Sequence, residues 1–274
     1  PTSKLQKNTF NLNVNSQLSE KLKVESMVNF TQTKGFNRPE VGYGDNSLAQ
    51  KFFHFGQRQL DYNELKAYKL SNGQQRTWNR TAYDNPEPNF SDNVYWTLNE
   101  NTSEDKRNRL YGNAKLTYNF TPDLYAVGNV YLDTYNFSIS ERVAVGSQAQ
   151  SSYSENNRTL TDINYEARLH YNKTFGDFSI SAFGGVNRRN VVANQLIGST
   201  VGGLELPNLY NFANSSAQAL SQNSETNRQT NSVYGFVSIG YKDFLYLEAT
   251  NRNDWFSTVT KDVNYSSLTG SFVF

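Results

Sequence analysis

Apolar and polar residues alternate along much of this chain with a period of two, and the alternation breaks and restarts at short turns. Phe10, Leu12 and Val14 interleave with Asn11, Asn13 and Asn15. Successive side chains of a strand point to opposite faces, so such a stretch has one apolar side and one polar side. The same pattern predicts nine strands, at roughly 9–17, 23–31, 109–120, 124–135, 161–174, 178–188, 231–241, 244–253 and 265–274. The third is the cleanest: Leu110, Gly112, Ala114, Leu116 and Tyr118 face one way, and Tyr111, Asn113, Lys115, Thr117 and Asn119 the other. In the fifth, Ile163, Tyr165, Ala167, Leu169 and Tyr171 oppose Asn164, Glu166, Arg168, His170 and Asn172.

Four turns share one design, a polar tip between bulky apolar residues. They are Leu18 to Leu22, Phe120 to Leu124, Phe175 to Phe178 and Tyr241 to Phe244. At their other ends the strands are joined by long polar connections, at about 32–108, 136–160, 189–230 and 254–264. Short turns on one side and long loops on the other are the pattern of an outer-membrane barrel, and most strands have the nine to eleven residues that a tilted crossing requires. The fold expected is therefore all-β, a transmembrane antiparallel β-barrel, with the long loops extracellular. Alternation alone also fits a soluble sandwich with the apolar side as its core; loop asymmetry, strand length and the aromatic turn flanks favour the barrel. Single-chain bacterial barrels usually have an even strand number, so nine strands predict a section of a larger one. Ala126 and Ala167 are placed near mid-membrane, facing hydrocarbon.

Composition narrows this picture. The mean hydropathy is −0.71 and no apolar run approaches 18 residues, which excludes a membrane-spanning helix but not a barrel. With 18 Tyr and 18 Phe the chain carries enough rings for interfacial girdles. A net charge of +1 gives no reason to expect a nucleic-acid partner. There is no Cys, hence no disulfide, thiolate nucleophile or thiolate metal site. Pro1-Thr2-Ser3-Lys4 leads into no apolar stretch, which predicts a mature product or a fragment.

Within the first loop, Leu60, Glu64, Leu65, Tyr68 and Lys69 have helical spacing and predict one short helix over 61–70. The same loop holds Phe52, Phe53, Phe55, Tyr62, Tyr68, Trp78, Tyr83, Tyr95 and Trp96. Such rings stack on sugars and pack on peptides; Trp78, Tyr83, Tyr95 and Trp96 are the candidate contacts for a ligand or a lid. Anchoring the loop on the barrel wall is the plainer role. On the polar side, Lys115, Asp133, Glu166 and Arg168 are read as lumen-facing, offering charge and hydrogen bonds to a solute or simply forming a salt-bridged, watery wall.

Other constellations are weaker. His54 and His170 are the only histidines and are read as solvated. Asp84, Glu87 and Asp92 are the right type for calcium, but a solvated loop explains them. Glu100 with Glu104 or Asp105 has nothing nearby to raise a pKa, so no acid–base catalysis and no enzyme is expected. No cofactor is implied.

Asn251 to Thr258, followed by Tyr265 to Phe274, resembles the SusC/RagA family of TonB-dependent outer-membrane transporters. Arg58-Gln59-Leu60-Asp61 with Leu65, then Asn93-Val94-Tyr95-Trp96 with Asn99-Glu100-Asn101, then Asp105 to Arg109, add matches in the family's order. The resemblance implies a 22-stranded barrel closed by an N-terminal plug, importing oligosaccharides or peptides in Bacteroidetes. Its partners would be a SusD-like surface lipoprotein, the TonB complex acting through an N-terminal part, and the lipid and lipopolysaccharide of the outer membrane. No plug, TonB box or carboxypeptidase-like extension is recognised in this sequence, so the chain is expected to be a barrel section alone. The alternative is a structural or secretion-associated barrel with no solute of its own; a soluble adhesin is the third reading.

Overall fold

A computed structural model describes residues 3–38 and 40–274. Nine strands form one sheet in sequence order, every neighbour antiparallel. They are β1 (Lys4–Gln17), β2 (Leu22–Phe36), β3 (Ser103–Asn119), β4 (Leu124–Val143), β5 (Ser152–Phe175), β6 (Phe178–Leu204), β7 (Ser215–Tyr241), β8 (Leu245–Phe256) and β9 (Val263–Phe272). The four turns fall where the sequence places them, each built by its own chemistry. Ser19 Oγ accepts from Leu22 N at 3.1 Å, and Thr121 Oγ1 accepts from Leu124 N at 3.1 Å. Gly176 takes φ +57° between the paired Phe175 and Phe178. Lys242 and Asp243 both take positive φ, the geometry whose twist matches that of the flanking strands. Successive turns are clipped together: Asn172 N donates to the Asp123 carbonyl at 2.9 Å, and Lys173 Nζ reaches the Asp123 carboxylate at 2.7 Å.

At the opposite end the strands run well past the predicted limits. β5 begins at Ser152, β6 continues to Leu204 and β7 starts at Ser215, so β6 and β7 are 27 residues each. The loops expected at 136–160, 189–230 and 254–264 shrink to 144–151, 205–214 and 257–262, and the first becomes 37–102. Upper β7 reads SSAQALSQNSETNRQT and is polar on both sides. Ladder hydrogen bonds need no apolar alternation, so pairing persists where the two-residue period has faded. The predicted helix over 61–70 is reduced to a single 3₁₀ turn, Glu64–Lys66. Asp61 Oδ1 accepts from Asn63 N at 2.8 Å, a local turn that competes with helix formation. A helix forms instead at Val94–Asn99, with the Asn93 side chain capping Tyr95 N at 2.9 Å.

No second layer covers the apolar face among the described residues. Leu169, Val186 and Val233 on that face are all about half exposed. The opposite face buries polar residues instead: Asn29, Asn129, Ser232 and Asp254 are each below a tenth exposed, as is Val127 beside them. That is the inverse of a water-soluble sheet protein.

The apolar face forms a slanted band. Its upper limit on β1, Phe10, lies in one pairing row with Phe30, Leu110, Thr134, Thr161 and Val192. Its upper limit on β9, Leu268, shares a row with Ala249, Val237 and Ala182. On β6 the two rows are about ten residues apart after eight strand steps. With ~3.3 Å rise per residue and ~4.8 Å between strands, the band slants by about 40°, the tilt of strands in a membrane barrel.

Candidate functional site

Pairing rows carry side chains on one face from strand to strand, and they assemble an extended array on the polar face. One row runs Glu25, Lys115, Asn129, Glu166, Asn187, Ser232 and Asp254 across β2 to β8. Lys115 Nζ pairs with Glu25 at 2.9 Å. Glu166 accepts a short hydrogen bond from the Tyr234 hydroxyl and lies 3.6 Å from Arg168. Arg252 bridges Asp254 at 2.8 Å and the Ser232 hydroxyl at 2.9 Å.

A neighbouring row sets Asp133 directly opposite Asp162. Two carboxylates so placed repel, and each is held by its own arginine. Arg109 Nε meets Asp133 at 2.8 Å, and Arg189 Nε meets Asp162 at 3.0 Å. The result is a strip of alternating sign, cation, two anions, cation, bordered by Tyr111, Asn113, Tyr131 and Asn164. All four residues singled out on this face, Lys115, Asp133, Glu166 and Arg168, therefore share it. Arg109, Asp162, Arg189, Tyr234, Arg252 and Asp254 complete the array. Their types were visible in the sequence; their grouping depends on register, which sequence periodicity does not give.

Toward the turns the same face changes character. Tyr125, His170, Phe183 and Phe236 form one row. His170 stacks on Tyr125 at 4.6 Å and lies 5.2 Å from Phe183. His54, in the first loop, contacts Tyr43 instead. Among the described residues no group of three or more His, Asp or Glu side chains is arranged to hold a metal.

The second feature is the 37–102 loop, which is folded rather than loose. Its centre is Trp96, only 1% exposed, edge-on to Tyr68. The Trp96 indole N–H donates to Ser147 Oγ at 2.8 Å, tying the loop to the 144–151 connection. Asp92 Oδ1 accepts from Gln75 Nε2 at 2.8 Å and from Gln148 N at 2.7 Å. Asn101 Oδ1 accepts from Ala144 N at 3.0 Å, and Asn93 Nδ2 donates to the carbonyls of Leu65 and Arg76 at 2.9 and 2.8 Å. Burial raises the Asp92 carboxyl above the ordinary carboxylate range and lowers the nearby Lys51 ammonium.

This geometry separates the four aromatic candidates. Trp96 is no surface contact, because its ring and its N–H are both taken up by the loop core. Trp78 and Tyr95 are half-buried, whereas Tyr83 is 97% exposed. Tyr43, Phe53 and Phe90 are the other strongly exposed rings of the loop. The calcium grouping is not brought together either: Asp92 is buried in the clasp, and Asp84 and Glu87 are exposed. Glu100, Glu104 and Asp105 are neutralised singly, by Lys69 at 3.1 Å, Arg142 at 2.9 Å and Arg38 at 2.8 Å.

No family model matches the sequence, and no curated relative does. Solved structures match over almost the whole chain. The structure of the RagAB peptide transporter covers 98% of it at a TM-score of 0.76 and 14% identity. The closed-closed and open-open states of the RagAB peptide importer cover 98% at 0.73 and 15%. The fold is that of an outer-membrane transporter barrel. The chain spans 30% of the length of each of those proteins, so it corresponds to a section of such a barrel.

Proposed function

We propose that this chain is the barrel section of a SusC-like, TonB-dependent importer of the bacterial outer membrane. Its polar face lines the solute path, and its long loop stands on the outer side. The observation that carries this reading is the match over 98% of the chain to a peptide transporter, together with a polar face on which charges are paired and arrayed. A hydrated, polyfunctional solute such as a peptide or an oligosaccharide finds both donors and acceptors there. The partners this entails are a SusD-like lipoprotein over the outer loops and the TonB complex acting through other parts of the protein. Loss of uptake of labelled peptides or oligosaccharides after deletion of the encoding gene supports the proposal; unchanged uptake of both defeats it. Capture of a surface lipoprotein with the intact protein, reduced by Tyr83→Ala and Phe53→Ala together, tests the lid.

A further inference from the structure

The apolar face carries a groove with a cation on its upper rim. It spans β3 to β8, has a volume of about 590 Å³, and is walled by Leu116, Tyr165, Val186, Val233 and Trp255. A Cβ placed on Gly128, in its floor, meets nothing within 4 Å. On β6 its upper rim is Arg188, next along the strand after Val186 on the same face; the rim continues in one pairing row through Asn231 to Trp255. Each strand's apolar run gives way to a first polar residue at this level: Thr134 on β4, Thr161 on β5, Arg188 on β6, Asn231 on β7 and Asn251 on β8. Of these five, Arg188 alone is charged. Arg188 Nη2 donates to Gln229 Oε1 at 2.9 Å, and the ion pairs of this strand's described residues involve Arg189, not Arg188.

We propose that this groove is a binding site for one phosphorylated lipid of the surrounding leaflet, its acyl chain in the groove and its phosphate on Arg188. Lipid tails touch the whole apolar face, so contact alone makes no site. What distinguishes this place is the concavity, which adds van der Waals contact where no hydrophobic driving force operates. The Arg188 guanidinium adds the other element: its planar fork fits phosphate oxygens and gives charge-assisted hydrogen bonds. Charge complementarity thus selects a phosphorylated headgroup over a neutral one. The site is independent of any solute path, because it lies on the opposite face of the sheet.

Trp255, in the groove wall, supplies the readout; the other two tryptophans, Trp78 and Trp96, are in the first loop. The intact protein, extracted from its membrane into detergent, is titrated with phosphatidic acid or diacylglycerol carrying brominated chains. Quenching is taken as the part of the signal that Trp255→Phe removes. Phosphatidic acid is expected to bind roughly tenfold more tightly than diacylglycerol. Arg188→Gln should abolish that preference and Arg188→Lys keep most of it. Gly128→Leu, which fills open space, should weaken both lipids. Inorganic phosphate should not compete. Equal affinity for the two lipids, a preference that survives Arg188→Gln, or competition by phosphate alone would each overturn the proposal.

Discussion

The two halves of strand β6 are paired to their neighbours in the same way yet have opposite surroundings. From Phe178 to Val186 every second residue is apolar or small, and the residues between them face the polar array. From Arg188 onward, Val191 and Val192 sit on opposite faces, as do Leu196 and Ile197, with Asn and Gln between them. Both halves keep an unbroken register with β5 from Phe178 to Ser199. Alternation therefore marks a difference between the two environments of a sheet, not the existence of the sheet. Where one side meets hydrocarbon and the other water the code is strict; where both meet water it lapses.

The comparison is most strongly tested in the first loop, whose core obeys ordinary water-soluble rules. Trp96→Ala removes its central ring and the bond to Ser147 and should cost the loop about 3–5 kcal/mol. Hydrogen exchange of residues 91–101 in the intact protein should rise sharply while the strands stay protected; unchanged exchange would mean the ring is not central. Next in size is Ala167→Arg, which places a charge on the lipid side of lower β5. It should destabilise the barrel by about 2–4 kcal/mol in bilayer denaturation, and Ala126→Arg likewise. Asn164→Arg, on the polar face of the same strand, should cost far less; equal costs would reverse the assignment of faces. Asn227→Arg is the sharper control, because it lies on the lipid-side face of β7 but above the apolar band. A change within about 0.5 kcal/mol is expected there, and a large loss would move the boundary of the band upward.

The smallest effect expected is pH-dependent. The Asp92 carboxyl is raised in the folded loop, so the folded state holds its proton more tightly than the unfolded chain. The stabilisation from that proton is fully present below the ordinary value of 3.8 and is lost as pH rises through the raised value. Loop protection measured by hydrogen exchange, corrected for intrinsic rates, should decline over that window in the native protein. Asp92→Asn should flatten the decline, since the amide oxygen can still accept from Gln75 and Gln148; an identical slope in the variant would assign the effect elsewhere.

Much of this architecture was legible in the residues. The turns were readable because each sets a short polar tip between bulky apolar residues, as at Phe175 to Phe178 and Tyr241 to Phe244. The two faces of lower β3 to β8 were readable because lipid and water impose opposite choices on alternate positions. The upper strands were not, since solvated Ser, Asn, Gln and Thr look alike in a loop and in a ladder. The site was legible by composition only. Lys115, Asp133, Glu166 and Arg168 could be placed on one face, but not the confrontation of Asp133 with Asp162, which rests on pairing between strands. Trp96 could not be assigned to one role, because an aromatic residue in a polar loop looks the same whether it anchors the loop or waits for a ligand.

The clasp between the first loop and the 144–151 connection also orders events in time. Asp92 and Trp96 take their partners from Gln148 and Ser147, some fifty positions later in the chain. Those partners have fixed places only once β4 and β5 have zipped together. Distant contacts form late because the intervening segment must first give up its freedom. The clasped loop should therefore be the last part of this chain to set, after the strands beneath it have found their register. Pulse labelling during refolding that showed Trp96 protected ahead of the β4–β5 amides would reverse that sequence.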